Sequence, residues 1–376
     1  MEIFLDHAAT TPVRDEVVQA MLPYLQEEYG NPSSLYEIGI RNRRMINLAR
    51  QEIQTLLGLP SASLYFTSGG TEANNWALKG LAFKHPHKKE IITTRIEHHS
   101  ILNSCLFLER LGFTIRYVEV DQEGFVHPEA LEGLITDQTL MVSLHYANNE
   151  IGTIQDIPAI ARVCQERKVY FHVDATQAVG HVSLHVQGID LLSFSAHKFY
   201  GPKGIGALYV REGIPIEPLI HGGGQEKGLR AGTENVAAIA GLVTALRLAI
   251  RELDEEARLA TLSQRLYEGL KQALGDGVRL NGPSFGPKRL ANNVNVSFKG
   301  IDGNELAYYL GKEGIYVSTG SACDSDRIEP SHVLQAIRVP DKYIHGTLRM
   351  TLGRETTEAM VDQAIHAIVR LVKRCQ

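Results

Sequence analysis

The chain reads as an α/β protein: a large domain with a mostly parallel sheet flanked by helices, followed by a smaller α+β domain. Three observations predict this. Between residues 60 and 210, short apolar runs alternate with amphipathic stretches of helical length, the signature of strand–helix repeats. Those runs are continuously apolar, as strands buried on both faces are. After Gly241 the texture changes to a long charged amphipathic stretch with sparse strands behind it. At 376 residues and 44% apolar content, the chain is long enough for two cores.

In chain order, residues 3–5 predict a short strand ending in Asp6-His-Ala-Ala-Thr-Thr-Pro12. Residues 15–29 have helical spacing, with Pro23 as a kink and Gly30 as a stop. Ser34 and Glu37 form the S-x-x-E capping-box pattern. Met45, Ala49, Ile53 and Leu56 then share one helical face, closed by Gly58. Strands are expected at 63–66, 90–94, 114–118, 140–145, 170–173 and 190–194. Helices are expected at 71–84, 99–111, 128–135 and 157–167. Residues 206–210 predict an antiparallel neighbour. Residues 242–274 form one long helix or two, followed by strands at 278–280 and 293–298 and a helix at 303–311. A polar loop at 318–329, a strand at 348–351 and a helix from 357 complete the chain. The domain division is placed at 245: residues 13–245 form the large domain, and 1–12 with 246–376 the small one.

Composition excludes several classes. A formal net charge of −5 gives no general attraction to nucleic acid or to anionic membranes. The four cysteines, Cys105, Cys164, Cys323 and Cys375, include no C-x-x-C pair, so neither a disulfide framework nor a zinc module is expected, and no metal site. Residues 1–6 lack the pattern of a signal peptide, and no apolar run is long enough to span a bilayer. A cytoplasmic protein is expected.

In an open parallel sheet, ligands bind beyond the carboxyl ends of the strands. There the sequence places Thr67-Ser-Gly-Gly-Thr-Glu72 at a helix start, suited to a phosphate or simply a strand–helix turn. Glu97-His98-His99 and Asn148-Asn149-Glu150 follow the next strands. Asp174 ends an apolar strand, where a carboxylate is costly unless paired; a protonated pyridine nitrogen would pair it, and so would a helix-capping role. Ser193-Phe-Ser-Ala-His-Lys198 then puts a lysine after a buried strand, with hydroxyls and an imidazole beside it. Phosphate cradle, imidazole, amide, carboxylate and lysine on one sheet edge are the partners pyridoxal phosphate needs. Arg349 on a small-domain strand suits a substrate carboxylate, whereas Arg354 suits a structural ion pair. The glycine-rich stretch 221–233 ends in Thr233. Cys323 lies in a small, polar loop rather than an apolar pattern, which favours a reactive thiol. The other three cysteines fall in helical patterns and read as packing residues.

These motifs, with Asn148-Asn-Glu-Ile-Gly152, His172-Val-Asp-Ala-Thr-Gln177, Gly320-Ser-Ala-Cys323 and Leu348-Arg349, resemble the cysteine desulfurases of the NifS/IscS type. These belong to the class V aminotransferase group of fold-type I pyridoxal-phosphate enzymes, and the likeness covers nearly the whole chain. The resemblance implies pyridoxal 5'-phosphate as cofactor and release of sulfur from L-cysteine to give L-alanine and an enzyme persulfide. By matching position, Lys198 resembles the imine lysine, Cys323 the persulfide-forming cysteine and His98 the stacking histidine. Asp174 resembles the pyridinium partner, and Gln177 would face the phenolic oxygen. Gly70, Thr71, Ser195 and His197 would bind phosphate, with Thr233 reaching in from a second subunit of a homodimer. Asn149 and Arg349 would hold the substrate carboxylate. The long cysteine loop resembles the group I branch rather than the selenocysteine-lyase-like one. Sulfur would pass to an acceptor protein, an iron–sulfur scaffold or a tRNA-thiolation enzyme. Two departures bear on that acceptor. Asp324 and Asp326 stand where relatives carry Thr or Ser after the cysteine. The chain also stops at Gln376, without the extension that housekeeping members use to engage their scaffold.

Overall fold

The computed structural model describes residues 2–60, 62–320 and 330–375. The chain opens with β1 (Ile3–Phe4), α1 (Asp15–Gln26) and α2 (Glu37–Leu56). Strands and helices then alternate: β2 (Ala62–Thr67), α3 (Gly70–Lys84), β3 (Glu90–Thr93), α4 (His99–Arg110), β4 (Thr114–Tyr117), α5 (Pro128–Leu134), β5 (Thr139–His145), α6 (Ile157–Glu166) and β6 (Tyr170–Asp174). Two strands, β7 (Leu191–Ser195) and β8 (Gly206–Arg211), precede α7 (Val236–Arg251) and α8 (Glu255–Leu274). The remainder is β9 (Val278–Leu280), β10 (Asn293–Phe298), α9 (Gly303–Lys312), β11 (Ile315–Tyr316), α10 (His332–Ala336), α11 (Asp341–Ile344), β12 (Thr347–Thr351) and α12 (Glu358–Cys375).

The main sheet has the order β2-β8-β7-β6-β5-β3-β4. β8 runs antiparallel to both its neighbours, as expected, and the other strands run parallel to one another. β5 and β7 are buried at every position, the result of apolar residues facing helices on both sides. β4 differs from expectation: its residues alternate exposed and half-buried, because it is the sheet's edge. Gly206 has no substitute in β8, since a Cβ there would lie 2.5 Å from the Phe194 carbonyl oxygen.

Two local expectations fail. The capping box does not form: α2 starts after Tyr36, which makes no side-chain cap, and Glu37 pairs forward with Arg41 Nη1 at 3.0 Å. An ion pair one turn along satisfies Glu37 better than a reach back to the chain. α1 stops at Gln26 rather than 29, with Pro23 in its last turn, because the Glu27 and Glu28 amides both return to the Pro23 carbonyl.

A second sheet, β12-β10-β9, is antiparallel, and β1 pairs in parallel with β11. Leu259, Leu262, Leu266 and Leu270 of α8 pack there with Leu306, Leu310, Val361 and Ile368, forming a core separate from that of the main sheet. Residue 245 lies inside α7, whose buried side chains belong to the main core. We propose that the domains divide at the break between α7 and α8. The joint between the two cores is polar. The Asn293 and Asn295 amides donate to the Glu150 carbonyl at 2.9 and 3.1 Å, and the Leu290 amide donates to the Gly152 carbonyl. Buried Arg289 donates to the carbonyls of Pro283 and Asn281 and to Asn293 Oδ1. Among the described residues, no helix is long and apolar enough to cross a membrane.

Candidate active site

A cavity of about 500 Å³ opens at the carboxyl ends of the parallel strands. Gly70, Thr71, His98, Asn149, Asp174, Gln177, Ser195, His197, Lys198 and Arg349 all line it. Of the residues singled out in the sequence, Thr233 does not: it is exposed, and it lies three residues beyond Arg230, whose guanidinium clamps Glu72 in the first turn of α3. Cys323, with Asp324 and Asp326, lies outside the described residues; Gly320, three positions earlier, lines the cavity. Arg354 faces Glu252 and Glu355 at 3.9 Å, outside the cavity, in the structural role expected of it.

At one end of the cavity α3 begins with no side-chain cap on its first turn, which leaves amide donors and the positive end of a 15-residue helix dipole. Gly70 leaves room that any side chain would fill: a Cβ would lie 2.9 Å from Thr176 Oγ1. That Oγ1 is itself buried, with no hydrogen-bond partner among the described residues. His197 stands beside it, with Nδ1 3.2 Å from Thr10 Oγ1, its pKa pushed down to about 4 by burial and then by the charges of Lys198 and Lys203.

Asp174 sits in the floor. Its Oδ1 accepts the Thr176 amide at 2.9 Å, the turn-capping role open in the sequence, and its Oδ2 accepts Asn74 Nδ2 at 2.6 Å. Asn74 Nδ2 also reaches Ser100 Oγ at 2.9 Å. Both partners of Asp174 are neutral, and among the described residues it has no ion pair. His172, on the same strand, is bracketed by Ser143 Oγ and Ser193 Oγ at 2.8 and 2.9 Å, and burial holds its pKa down to about 4. His98 caps α4: its Nδ1 accepts the Ser100 amide at 3.1 Å, so in the neutral ring the proton belongs to Nε2. Burial lowers the His98 pKa and favours that neutral ring.

Lys198 follows β7 in a short 3₁₀ turn, and its Nζ donates to the carbonyls of Ala8 and Ala9 at 2.5 and 2.8 Å. Gln177 Nε2 also donates to Ala8 O, at 2.9 Å. Arg349 enters from β12. It is bound on one side by Asp6 Oδ1 at 2.7 Å and the Asn149 carbonyl at 3.2 Å, while its buried Nε has no partner among the described residues. Glu150 braces the near rim: Oε2 accepts Ser331 Oγ at 2.6 Å, and Gly320 (φ +89°) packs so close that a Cβ would meet the same oxygen at 2.7 Å.

Sequence reasoning missed Asn74, Thr176 and Glu150 as cavity residues, together with the Ala8 and Ala9 carbonyls. Asn74 did carry a signal, as a polar residue on an α3 face otherwise made of Ala73, Trp76, Ala77 and Leu81. The cysteines divide differently from expectation. Cys105 and Cys164 are buried, burial pushing the first thiol up to about 12 and raising the second as well. Cys375 is exposed: it continues the buried face of Ile368, Leu371 and Val372, but it is the last residue of α12, beyond the core that covers that face.

The cavity fits pyridoxal phosphate on its own geometry. An uncapped helix start, the Gly70 cradle and the orphaned Thr176 hydroxyl suit a phosphate; an unpaired anionic carboxylate suits a protonated ring nitrogen; a lysine amine faces the same space. The aminotransferase class V family matches residues 3–364. The cysteine desulfurase IscS of Methanosarcina thermophila is 51% identical over 376 residues, 99% of this chain and 92% of that one. That of Clostridium botulinum is 48% identical, with 99% and 95% covered. Among solved structures, a NifS-like protein superposes with a TM-score of 0.93 at 39% identity over the full length of both chains. SspA, solved in complex with cysteine, superposes with a TM-score of 0.82 at 35% identity, covering 94% of this chain and 99% of that one. A cavity built for pyridoxal phosphate, on a fold and sequence shared with these enzymes, makes this chain a member of the class V aminotransferase family and, within it, a pyridoxal-phosphate-dependent cysteine desulfurase.

Proposed function

We propose that this cavity takes L-cysteine and that the residues lining it divide the work of desulfuration as follows. Gly70, Thr71, Ser195, His197 and the orphaned Thr176 hydroxyl hold the phosphate. Asp174, paired only with neutral donors, keeps the ring nitrogen protonated. His98 would stack on the ring, and Gln177 would face its phenolic oxygen. When bound, pyridoxal phosphate supplies the electron sink for negative charge at the substrate Cα. Lys198 holds the cofactor and then moves the proton at Cα. Arg349, anchored by Asp6 and with Nε unpaired, binds the substrate carboxylate together with Asn149. The Cys323 thiolate attacks the substrate sulfur. A sulfur–sulfur bond forms, the carbon–sulfur pair stays with the three-carbon fragment, and a proton completes alanine. The observation that carries this reading is the meeting of Asp174, Lys198 and Arg349 with the uncapped α3 start around one cavity. The cysteine in the SspA complex supports the substrate.

The second subunit belongs to the same reading. Exposed apolar side chains concentrate at Tyr29, Leu35, Tyr36 and Ile40, a patch suited to a second copy of the chain, and exposed Thr233 stands ready to reach a neighbour's phosphate. The persulfide would pass to an acceptor protein of iron–sulfur assembly or tRNA thiolation in the cytoplasm. Borohydride reduction of the holoenzyme should fix the cofactor to Lys198, and Lys198→Ala should lose both the visible band and turnover. A reduced adduct mapped to another lysine would refute the assignment.

A further inference from the structure

Lys198 is also held from behind its own main chain. His181, in the turn after β6, is about one-tenth exposed at its side chain, with Nε2 3.0 Å from the Lys198 carbonyl oxygen and Nδ1 2.9 Å from Glu256 Oε1. A carbonyl and a carboxylate only accept. Each bond needs a proton on its ring nitrogen, so the ring that satisfies both partners is the imidazolium. The same turn backs directly on the lysine: Gly180 (φ +82°) lies where a Cβ would meet Phe199 Cβ at 2.7 Å. Glu256 belongs to α8, the first helix of the second core.

We infer that His181 is a positioning residue: as a cation bridging Glu256 to the Lys198 carbonyl, it ties the lysine's turn to α8 and sets where Nζ stands in the cavity. This rests on Lys198 being the cofactor lysine. The charged groups around the bridge are consistent with it. Burial works against the imidazolium, but the charge and hydrogen bond of Glu256, with the Lys198 carbonyl, raise the pKa overall. His7, from the N-terminal segment, is pushed the other way by burial, so it does not compete as a cation. Tyr200 stays protonated, its pKa raised to about 12 by burial, and Glu355 and Arg354 face one another at 3.9 Å. The sign follows. With a folded pKa above the ordinary value of about 6.5, the bridge is complete at pH below that ordinary value and is lost as pH rises through the raised pKa, when one of its two hydrogen bonds must go.

The test compares His181→Gln, a neutral donor, with His181→Lys, a donor that keeps the charge. In the cofactor-free chain, the imidazole nitrogen signals assigned by their loss in His181→Gln should show both nitrogens protonated on the acid side and titrate above about 6.5. In the holoenzyme, His181→Gln should lower kcat about tenfold with KM changed less than about twofold, and shift the pH titration of the visible band. His181→Lys should recover kcat to within about twofold and move the alkaline fall in kcat to higher pH. A titration at or below 6.5, a lysine variant no better than the glutamine one, or an unmoved alkaline limb would overturn the role. If His181→Gln does not fold, Glu256→Gln replaces it: His181 should then titrate lower than in wild type, and no change overturns the bridge. Trapping of the cofactor at another lysine would overturn the Lys198 reading and the role of His181 with it. Trapping at Lys198 with an unshifted His181 would overturn the His181 role alone.

Discussion

Two buried arginines, Arg289 at the joint between the cores and Arg349 in the cavity wall, are both 3% exposed and yet do opposite things. Arg289 spends its donors on the carbonyls of Pro283 and Asn281 and on Asn293, with no carboxylate partner, and burial pulls its pKa down to about 9. Arg349 has a carboxylate, Asp6, on one side and a buried Nε with nothing on the other. A guanidinium with every donor occupied is part of the scaffold. One with a donor left over beside a cavity is the proposed binding group. The same contrast separates the fully bonded Asn293 and Asn295 amides from the orphaned Thr176 hydroxyl.

The widest gap is expected between the arginines themselves. Arg349→Ala should lower kcat/KM by roughly 10- to 150-fold, the loss of a charge-assisted hydrogen bond, and, since it also abandons Asp6 and the Asn149 carbonyl, should lower the melting temperature as well. Arg289→Ala should lower stability alone. Each carbonyl it abandons costs about 1–3 kcal/mol of stability, while the folded fraction keeps its kcat/KM. Chemical denaturation alongside steady-state kinetics separates the two, and similar losses of both kinds in both variants would erase the distinction.

Thr176→Val sharpens it. The hydroxyl makes no bond among the described residues, so the cofactor-free chain should be as stable as wild type or slightly more so. Cofactor affinity should fall by about 2- to 13-fold, one ordinary hydrogen bond. Equilibrium dialysis against pyridoxal phosphate reads the affinity, and a destabilised apo chain with unchanged affinity would make Thr176 a scaffold residue.

A smaller effect concerns the two depressed histidines. His172 and His197 both have folded pKa values of about 4, against an ordinary value near 6.5. Between those values the unfolded chain takes protons that the folded chain refuses, so stability falls as pH drops from about 6.5 towards 4. His197→Asn should flatten part of that slope in melting curves of the cofactor-free chain at pH 7.5, 6 and 4.5. An unchanged slope would mean that His197 titrates normally. The smallest effect is expected at the reactive thiol. Asp324 and Asp326 follow Cys323 closely in sequence, and we propose that their charges disfavour its thiolate. Replacing both with Asn should lower the thiol's apparent pKa and speed iodoacetamide labelling modestly, less so in high salt. With the other cysteines removed, a pKa that stays put or rises would dismiss the carboxylates as a brake.

Much of this was readable in the sequence because strand ends carry the chemistry. Asp174, Lys198 and Asn149 each follow an apolar run whose burial sets both the strand and the place where it stops. What escaped depends on neighbours distant in the chain. Asn74 meets Asp174 across 100 residues, and the Ala8 and Ala9 carbonyls meet Lys198 only once the N-terminal segment has crossed the molecule. Ser34 shows the converse error: a good local pattern lost to a better local partner, since Glu37 reaches Arg41 instead. The break between α7 and α8 was visible as an alternative, but its place was not. α7 is apolar enough to belong wholly to the first core, and nothing within residues 242–251 marks which core they join.

The contacts of Arg349 and Lys198 have a consequence for how the protein is made. Asp6 and Arg349 are 343 residues apart, and Lys198 and Ala8 are 190 apart. β2 cannot pair until β8 has been synthesised some 140 residues later, since β8 is its sheet neighbour. The main sheet can therefore assemble while the chain is still emerging from the ribosome, but the cavity wall closes only when the last strand, β12, is out. If Arg349 binds substrate as proposed, a chain stalled or clipped before β12 carries Lys198 without its substrate clamp, and it should turn over L-cysteine poorly however well its main sheet has formed.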